Sequence, residues 1–297
     1  MSPGVAVTGA NGFIGQKTVA ALAEAHLNVR ALSRTAPPAR LAEGVAWHQI
    51  KSYDDPTLLA AALQGVEIVI HLADNPDRAA KRRPQSAGGV LNAILQAMDE
   101  AGTKRIIFAS SVYARLAPSP SGYGHSKALA EENLLRANDP ARTILRLPPV
   151  YGPGGRGGLA TLAKLTAKGL PLPFGTATMP RAYLSRDNLA NLLVCMAQSD
   201  DEAWSSADGR IFEPVDGSGI ATADLVRMLA EAQRAHVRLF SVSEKILRLI
   251  AKLIGKSDLI ASAFDPLEVE GNDPLLKIFG WRPVEVMPES LEFLKHS

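Results

Sequence analysis

Residues Val5–Gly15, which read V-A-V-T-G-A-N-G-F-I-G, decide the fold of this chain of 297 residues. A short β-branched run ends at Thr8, three glycines follow, and a helical pattern rich in alanine extends from Gln16 to about Ala25. A strand, a glycine turn and a helix in this order aim the N–H groups of a helix N-terminus at the end of a strand, where they can bind an anion. The order predicts a cradle for the pyrophosphate of a dinucleotide.

The glycines have the spacing G-x-x-G-x-x-G rather than G-x-G-x-x-G. We expect Gly9 to permit the tight turn, Gly12 to let the backbone approach a pyrophosphate, and Gly15 to let the helix pack closely on the strand. The alternative is a glycine turn that binds nothing. The place of the stretch at the start of an α/β pattern favours the cradle.

The composition excludes several classes of partner. The chain carries 32 basic and 30 acidic residues, a formal charge of +2, so no general attraction for nucleic acid is expected and any anion site must be local. The single cysteine, Cys195, lies in the apolar run Leu192–Met196 and is expected to be a small buried residue. No run approaches the roughly 18 apolar residues of a transmembrane helix, and the first residues lack the pattern of a secretory leader. We therefore expect a cytoplasmic protein.

A metal site is not predicted either. The six histidines are scattered, and neither a two-cysteine spacing nor H-E-x-x-H occurs. His71 follows an apolar run and is interpreted as a packed structural residue rather than a catalyst.

Apolar runs alternate with helical patterns through the first half of the chain. The expected strands are Asn28–Leu32, Val45–Ile50, Glu67–Ala73, Arg105–Ser111 and Thr143–Leu147. The expected helices are Pro56–Leu63, Val90–Glu100 and Lys127–Ala137. This alternation predicts an α/β fold of the Rossmann type, a doubly wound parallel sheet whose ligands bind at the carboxyl ends of the strands.

The amino-acid composition changes after Val150, where a stretch rich in glycine and proline begins. We assign residues 1–150 to a dinucleotide-binding domain and residues 151–297 mainly to a smaller substrate-binding portion. Residues of about 186–198 are expected to return to the first domain, so a single boundary simplifies the division.

The candidate catalytic residues lie on a strand end and on the next helix. Ser111 ends an expected strand, and Tyr123 and Lys127 share one helical face because they are four residues apart. An ammonium beside a phenol lowers the phenol pKa from about 10 towards neutral pH, which allows proton exchange. Ser111 can then hydrogen-bond the substrate oxygen. By itself, a tyrosine four residues before a lysine is weak evidence for catalysis, because such pairs often lie on a helix surface without a function. The upstream cradle favours the catalytic role.

The chain resembles the extended short-chain dehydrogenases/reductases of the NAD-dependent epimerase/dehydratase family over nearly its whole length. The pieces that carry the resemblance are Thr8–Gly15, Val69–Ala73, Phe108–Ser111, Tyr123–Lys127 and Leu145–Gly154. Other pieces resemble the branch that acts on C4 of nucleotide sugars, including UDP-N-acetylhexosamine 4-epimerases and 4-keto reductases. These are Pro171–Gly175, Arg181, Asp187–Asn188 and Gly280–Pro283.

The resemblance implies a role for each matching residue. Tyr123 becomes the acid/base, Lys127 its pKa tuner and ribose anchor, and Ser111 the hydroxyl that positions the substrate oxygen. Substrate is expected at Ser111 and, through its nucleotide diphosphate, at Leu172, Phe174 and Arg181. The expected cofactor contacts also include Ser33 and Arg34, which lie at the end of the second expected strand. The full set is Gly9, Asn11, Gly12, Phe13, Ile14, Gly15, Ser33, Arg34, Leu72, Ala73, Tyr123, Lys127, Pro148 and Val150.

The second expected strand indicates which dinucleotide binds. It ends Ala31-Leu32-Ser33-Arg34, without an acidic residue for a ribose 2′-hydroxyl and with a hydroxyl and a guanidinium suited to a 2′-phosphate. We expect NADP, with NAD as the alternative.

The chain departs from the family pattern at four places. An acidic residue often found after the third strand is missing, Ser52 and Asp54 being the nearest candidates. The asparagine usual on the helix before Ser111 has no counterpart, and the one usual before Val-Tyr-Gly-Pro is Pro149. Only eleven residues separate Ser111 from Tyr123, fewer than is usual among enzymes of nucleotide sugars.

Two charged segments have two interpretations each. The basic run Arg78–Arg83 is interpreted as a solvated loop rather than an anion site. The segment Ser243–Gly255 is a basic amphipathic helix that could lie on a membrane surface, which would suit a lipid-linked sugar. Packing of its apolar face on the substrate-binding portion is the preferred explanation.

These observations predict an NAD(P)-dependent enzyme that transfers a hydride at C4 of a nucleotide-activated sugar, as an epimerase or a 4-keto reductase. One rival is a reductase of small non-sugar ketones or aldehydes, which the short Ser111–Tyr123 connection supports. Another is a non-catalytic NADP-binding sensor, against which the intact Ser111, Tyr123 and Lys127 argue. The resemblance also implies a homodimer, in which the helices at 90–100 and 127–137 could pair across a two-fold axis.

Overall fold

The computed structural model describes residues 4–73, 85–116, 122–137, 141–253, 255 and 257–296. The basic run Arg78–Arg83 lies outside the described residues. The strands are β1 (Gly4–Thr8), β2 (Asn28–Ser33), β3 (Val45–Gln49), β4 (Ile68–His71), β5 (Arg105–Ser111), β6 (Ala141–Leu147), β7 (Val150–Tyr151), β8 (Pro180–Arg181), β9 (Leu184–Ser185), β10 (Arg210–Phe212) and β11 (Ile220–Ala221). The helices are α1 (Phe13–Glu24), α2 (Pro56–Leu63), α3 (Gln85–Ala101), α4 (Tyr123–Arg136), α5 (Gly158–Ala167), α6 (Arg186–Ala197), α7 (Asp201–Ala207), α8 (Thr222–Ala232), α9 (Glu244–Leu253), α10 (Ser257–Phe264) and α11 (Asp273–Phe279).

The chain divides into two compact units. The first comprises Met1–Leu147, Leu189–Pro214 and Gly271–Arg282, and the second comprises Pro148–Asn188, Val215–Glu270 and Pro283–Ser297. Helix α6 therefore starts in the second unit and continues in the first from Leu189.

A seven-stranded sheet forms the centre of the first unit, in the order β10-β6-β5-β4-β1-β2-β3. Every pairing in it is parallel, with Val7 opposite Ala31 on one side and Ile70 on the other. Strand β1 is buried between its neighbours because both faces of a parallel sheet are covered by other elements. The expected doubly wound α/β fold is confirmed.

The helices cover the sheet as right-handed crossovers require. Helices α2, α3 and α4 pack side by side, while α1 packs against β1 and β2. Crossovers running in opposite directions from the centre of the sheet place these two groups on opposite faces. Helix α2 illustrates the local rules, since the side chain of Asp55 caps it by accepting from the Leu58 N–H at 3.1 Å and Pro56 occupies its first turn.

The expected elements agree with the structure within a few residues. Strands β7 to β11 are absent from the expected elements, because runs of two or three residues are too short to show a period. Strand β4 ends at His71 rather than at Ala73, because Ala73 leaves the ladder and donates its N–H to the Thr8 hydroxyl at 3.2 Å.

A buried carboxylate joins the three segments of the second unit. Asp216 accepts hydrogen bonds from the Tyr151 hydroxyl at 2.5 Å, the Ser185 N–H at 2.9 Å and the Asn188 amide at 2.7 Å. The Tyr151 oxygen also lies 2.5 Å from the Ser290 oxygen. Burial raises the pKa of Asp216, and the hydrogen bonds from Asn188 and Tyr151 oppose that shift. This hydrogen-bond network holds together residues that are far apart in the sequence.

Candidate cofactor and active site

The glycine cradle (Gly9–Gly15) connects the carboxyl end of β1 to the N-terminus of α1. Gly9 has φ of +69°, which an L side chain rarely adopts, and its carbonyl accepts the Gly12 N–H at 2.8 Å. Helix α1 has Gly12 as its N-cap, and this residue has no side chain with which to cap the first helical N–H groups. The helix N-terminus can therefore present these groups to an anion.

Two glycine positions of the cradle have no room for a Cβ. A Cβ on Gly15 would lie 2.2 Å from the Gly9 carbonyl oxygen and 2.9 Å from the Cα of Ala10. A Cβ on Gly9 would lie 2.9 Å from the backbone of Ala73. These close approaches leave bare backbone at the helix N-terminus, which fits the pyrophosphate of a dinucleotide.

Tyr53 supports the cradle, and sequence reasoning missed it. Its buried hydroxyl accepts the Gly9 N–H at 2.7 Å and donates to the Leu32 carbonyl at 2.8 Å, so it ties the turn after β1 to the end of β2. Burial raises the pKa of this phenol. The nearest candidates for the missing acidic residue after the third strand, Ser52 and Asp54, are hydrogen-bonded to each other at 3.2 Å. The sequence feature that could have indicated the role of Tyr53 is its position between these two polar residues just after β3.

A polar cluster forms where β2 ends. The Ser33 and Thr35 hydroxyl oxygens are 3.0 Å apart, and the Asn11 amide donates to Thr35 at 2.7 Å. Arg34 is exposed beside them. The cluster thus brings Asn11 of the cradle together with Ser33 and Arg34, and it adds Thr35 to the expected set.

Helix α4 holds Tyr123 and Lys127 close to the carboxyl end of β5. The Lys127 Nζ donates to the Ala109 carbonyl at 2.9 Å and lies 5.8 Å from the centroid of the Tyr123 ring. Tyr123 is 44% exposed, whereas Lys127 is buried. Ser111, two residues after Ala109, is buried and its hydroxyl accepts the Tyr113 N–H at 3.3 Å. The ammonium is thus fixed on the strand that ends at Ser111, with the exposed phenol one helical turn away.

The same face of α4 carries a buried ionic anchor one turn further along. Glu131, which follows Lys127 by four residues, accepts from the Arg146 guanidinium at 2.7 Å and from the Ser110 hydroxyl. This hydrogen bonding to Glu131 raises the pKa of Arg146. Strands β5 and β6 therefore hold the helix that carries Tyr123 and Lys127.

His71 has the structural role that its sequence context indicated. The side chain is 3% exposed, its Nδ1 lies 2.7 Å from the Thr8 hydroxyl oxygen, and its ring stacks on Phe108. Burial, followed by the positive charge of Lys127, lowers the pKa of His71 to about 3. The ring is neutral at neutral pH and packs between β1 and β5.

The remaining expected cofactor residues lie in both units. Leu72 and Ala73 are half-buried just after β4, beside Gly9. Pro148 follows β6 directly and is buried, and Val150 is half-buried in β7. Phe13 and Ile14 are half-buried in the first turn of α1.

The three second-unit residues expected to face substrate are core residues in the structure. Leu172 is 4% and Phe174 7% exposed, and both pack in an apolar cluster with Phe264. Arg181 is 3% exposed, and its guanidinium donates to the Asp265 carbonyl. Apolar packing and a backbone acceptor already account for these side chains, so their contact with a diphosphate stays a prediction.

Cys195 differs slightly from the expectation, because it is half-buried and its thiol donates to the Phe279 carbonyl at 3.0 Å. Burial raises the pKa of this thiol. Within the described ranges, no cluster of three His, Cys, Asp or Glu side chains could hold a metal ion. None of the helices in the described part of the chain is long and apolar enough to cross a membrane.

Comparison with known proteins identifies relatives of two kinds. The model of the NAD dependent epimerase/dehydratase family matches residues 5–211. A UDP-glucose 4-epimerase from Vibrio cholerae is 28% identical over 319 residues, covering 98% of this chain and 94% of that protein. A ceramide reductase from Caulobacter vibrioides is 33% identical over 206 residues, covering 66% of this chain and 61% of that protein.

A solved structure agrees with the architecture over nearly the whole chain. The UDP-glucose 4-epimerase from Thermotoga maritima, crystallised with UDP-glucose, superposes with a TM-score of 0.72 and 22% identity, covering 98% of this chain and 97% of that one. At this identity the likeness supports the fold alone.

Proposed function

This chain belongs to the NAD-dependent epimerase/dehydratase family, and we propose that it transfers a hydride at C4 of a nucleotide-activated sugar, as an epimerase or a 4-keto reductase. The observation that carries the proposal is the placement of Lys127, whose ammonium is tied to β5 at Ala109 and lies beside the exposed Tyr123 ring. A fixed cation beside an exposed phenol is the arrangement that proton exchange with a substrate oxygen requires.

The cradle and the side chains of α4 and β5 have different roles in the proposed reaction. A nicotinamide dinucleotide held at Gly9–Gly15 would supply or accept the hydride. The Tyr123 hydroxyl moves the proton at the substrate oxygen, and Lys127 favours the phenolate by its charge. Ser111 hydrogen-bonds the same oxygen as its charge changes. The buried Glu131 keeps α4 in place during this exchange.

Relatives support the sugar substrate. The UDP-glucose 4-epimerase of Vibrio cholerae aligns over 98% of this chain, so the resemblance includes both units. We therefore propose a UDP-hexose or UDP-N-acetylhexosamine as the substrate.

The stoichiometry of the dinucleotide tests this proposal. An epimerase returns its hydride and needs only catalytic dinucleotide, whereas a 4-keto reductase consumes one reduced dinucleotide for each product. We expect one of these two results when purified protein is incubated with UDP-hexoses, UDP-N-acetylhexosamines and their 4-keto derivatives, with products separated by chromatography. Absence of any turnover of the sugar nucleotides, with dinucleotide bound, would contradict the proposal.

A reductase of a non-sugar ketone or aldehyde is the second candidate. The ceramide reductase relative supports it, as does the apolar burial of Leu172 and Phe174. Oxidation of NADPH by simple ketones or aldehydes but not by 4-keto sugar nucleotides would favour this candidate. Binding of dinucleotide without turnover of either class would favour the sensor.

We also propose that NADP binds more tightly than NAD. Ser33, Thr35 and the exposed Arg34 surround the end of β2, where a 2′-phosphate would be held. Hydrogen bonds from a charged donor contribute about 1.5–3 kcal/mol, so Arg34→Ala should weaken NADPH binding by about tenfold or more and leave NADH binding unchanged. Fluorescence titration measures both affinities.

Lys104→Ala is the control for that titration. It removes one exposed positive charge just before β5, at the amino ends of the parallel strands and away from the carboxyl end of β2, and should change neither affinity. Tighter binding of NADH than of NADPH by the unaltered protein would refute the preference.

The homodimer and the cytoplasmic location stay predictions. Helices α3 and α4, which pack side by side, are the elements through which we propose that two copies associate.

A further inference from the structure

Helix α9 exposes a stripe of aliphatic side chains. Ile246 is 52%, Leu249 60%, Ile250 48% and Leu253 79% exposed. Their spacing of i, i+3, i+4 and i+7 places all four on one face of the helix. The four together form the exposed stripe of α9.

A different face of α9 packs on the second unit. Ala251 is 4% exposed, and Leu247 packs against the apolar cluster that contains Phe174 and Phe264. The explanation preferred from the sequence, that the apolar face is buried in the protein, is therefore correct for Leu247 and wrong for the exposed stripe. The physical reason is that the apolar arc of α9 is wider than the surface available to cover it.

Basic side chains border the exposed stripe. Lys245 and Lys252 are exposed on α9, one at each end of the helix. Arg248, also on α9, pairs with Glu244 at 2.7 Å and with Asp265 of the neighbouring segment. Arg248 thus pairs with two carboxylates, and Lys245 and Lys252 add two exposed positive charges beside the exposed stripe.

We propose that the exposed stripe of α9, with Lys245 and Lys252, docks the second unit on an anionic lipid surface. An interfacial helix buries its apolar face about 5–10 Å into the headgroup boundary while basic side chains contact anionic headgroups. The packing of Leu247 and Ala251 holds α9 folded before it meets lipid, so binding requires no ordering of this segment.

The size of the stripe favours lipid over a protein partner. Four side chains over about two helical turns provide much less than the about 800 Å² per partner that a stable protein interface buries. A lipid surface needs no shape complementarity, and its negative charge complements the two lysines.

Flotation with vesicles tests the proposal on the intact protein. We expect the protein to float with vesicles that contain phosphatidylcholine and phosphatidylglycerol, and to float poorly with phosphatidylcholine alone. Lys245→Gln and Lys252→Gln should each weaken binding to the anionic vesicles by about fivefold. Leu249→Glu combined with Leu253→Glu should abolish flotation, because both charges would enter the apolar layer.

A matched pair elsewhere controls for added charge. Leu58→Glu combined with Val284→Glu changes side chains that are 48% and 70% exposed outside α9, and this variant should float like the unaltered protein. Circular dichroism and NADPH binding check that every variant is folded.

Three outcomes would overturn the proposal. The unaltered protein could fail to float with anionic vesicles, or the Leu249→Glu, Leu253→Glu variant could float equally well. In the third, light scattering would show that the unaltered protein is an oligomer and that the Leu249→Glu, Leu253→Glu variant, unlike the others, is a monomer. The exposed stripe would then be an interface with a second copy of the chain.

Discussion

Tyr123→Phe is expected to lower turnover by about 10²–10⁴-fold while the fold and the affinity for NADPH are unchanged. The phenol is 44% exposed, so we expect loss of one oxygen to change the stability of the fold little. What disappears is the group that we propose exchanges a proton with the substrate oxygen. The loss should therefore fall on kcat, with little change in KM.

The companion variants separate the roles of the neighbouring residues. Lys127→Met should lower both turnover and NADPH affinity, because the ammonium is assigned both to the phenol and to a ribose. Ser111→Ala should lower turnover with little effect on NADPH affinity, because its hydroxyl is assigned to the substrate oxygen. Tyr113→Phe, which alters another exposed phenol, provides the comparison for a nonspecific effect.

Steady-state kinetics and NADPH titration on the four variants measure these effects. Turnover of the sugar nucleotide or ketone by Tyr123→Phe at the unaltered rate would show that Tyr123 is not the acid/base. Equal losses in Tyr123→Phe and Tyr113→Phe would show that the effect is not specific to the site.

The part of the site that could be predicted from the sequence depends on local spacing. Gly9, Gly12 and Gly15 lie within one strand–turn–helix, so their spacing together with the flanking strand and helix patterns predicts the cradle. Tyr123 and Lys127 lie one turn apart on a helix, and the period of the helix relates them directly.

Contacts across long stretches of chain could not be predicted in this way. Tyr53 reaches the Gly9 N–H across 44 residues, and the side chains around it carry no periodic signal. The burial of Arg181 depends on a carbonyl at Asp265, 84 residues away. The exposed stripe of α9 shows a further limit, since an amphipathic pattern predicts an apolar face without specifying how much of that face the rest of the protein covers.

The ion pair between Arg146 and Glu131 lies one helical turn beyond Lys127 on the same face of α4. The Glu131 side chain is 5% and the Arg146 side chain 20% exposed, and the guanidinium approaches the carboxylate at 2.7 Å. Arg146 also lies 3.9 Å from Glu213, which Arg115 holds at 2.8 Å. Loss of Arg146 would therefore leave the Glu131 charge buried, with a hydrogen bond from the neutral Ser110 hydroxyl in place of the ion pair.

We expect Arg146→Leu to lower the free energy of unfolding by about 3–5 kcal/mol, because removal of one partner leaves a buried charge uncompensated. Glu131→Gln in the Arg146→Leu background should recover much of that loss, since it removes the buried charge but keeps an oxygen for Ser110. Denaturant unfolding of the single and double variants measures the difference.

Arg136→Leu is the matched control, because it breaks an ion pair on the exposed side of the same helix. Arg136 pairs with Glu132 at 2.5 Å, with side chains 72% and 51% exposed, and such a pair contributes about 0.2–1 kcal/mol. A loss in Arg146→Leu no larger than in Arg136→Leu would show that Glu131 is not held by a buried ion pair. A large loss that Glu131→Gln does not relieve would assign the effect to lost packing of the arginine, because only an uncompensated charge is removed by neutralising Glu131.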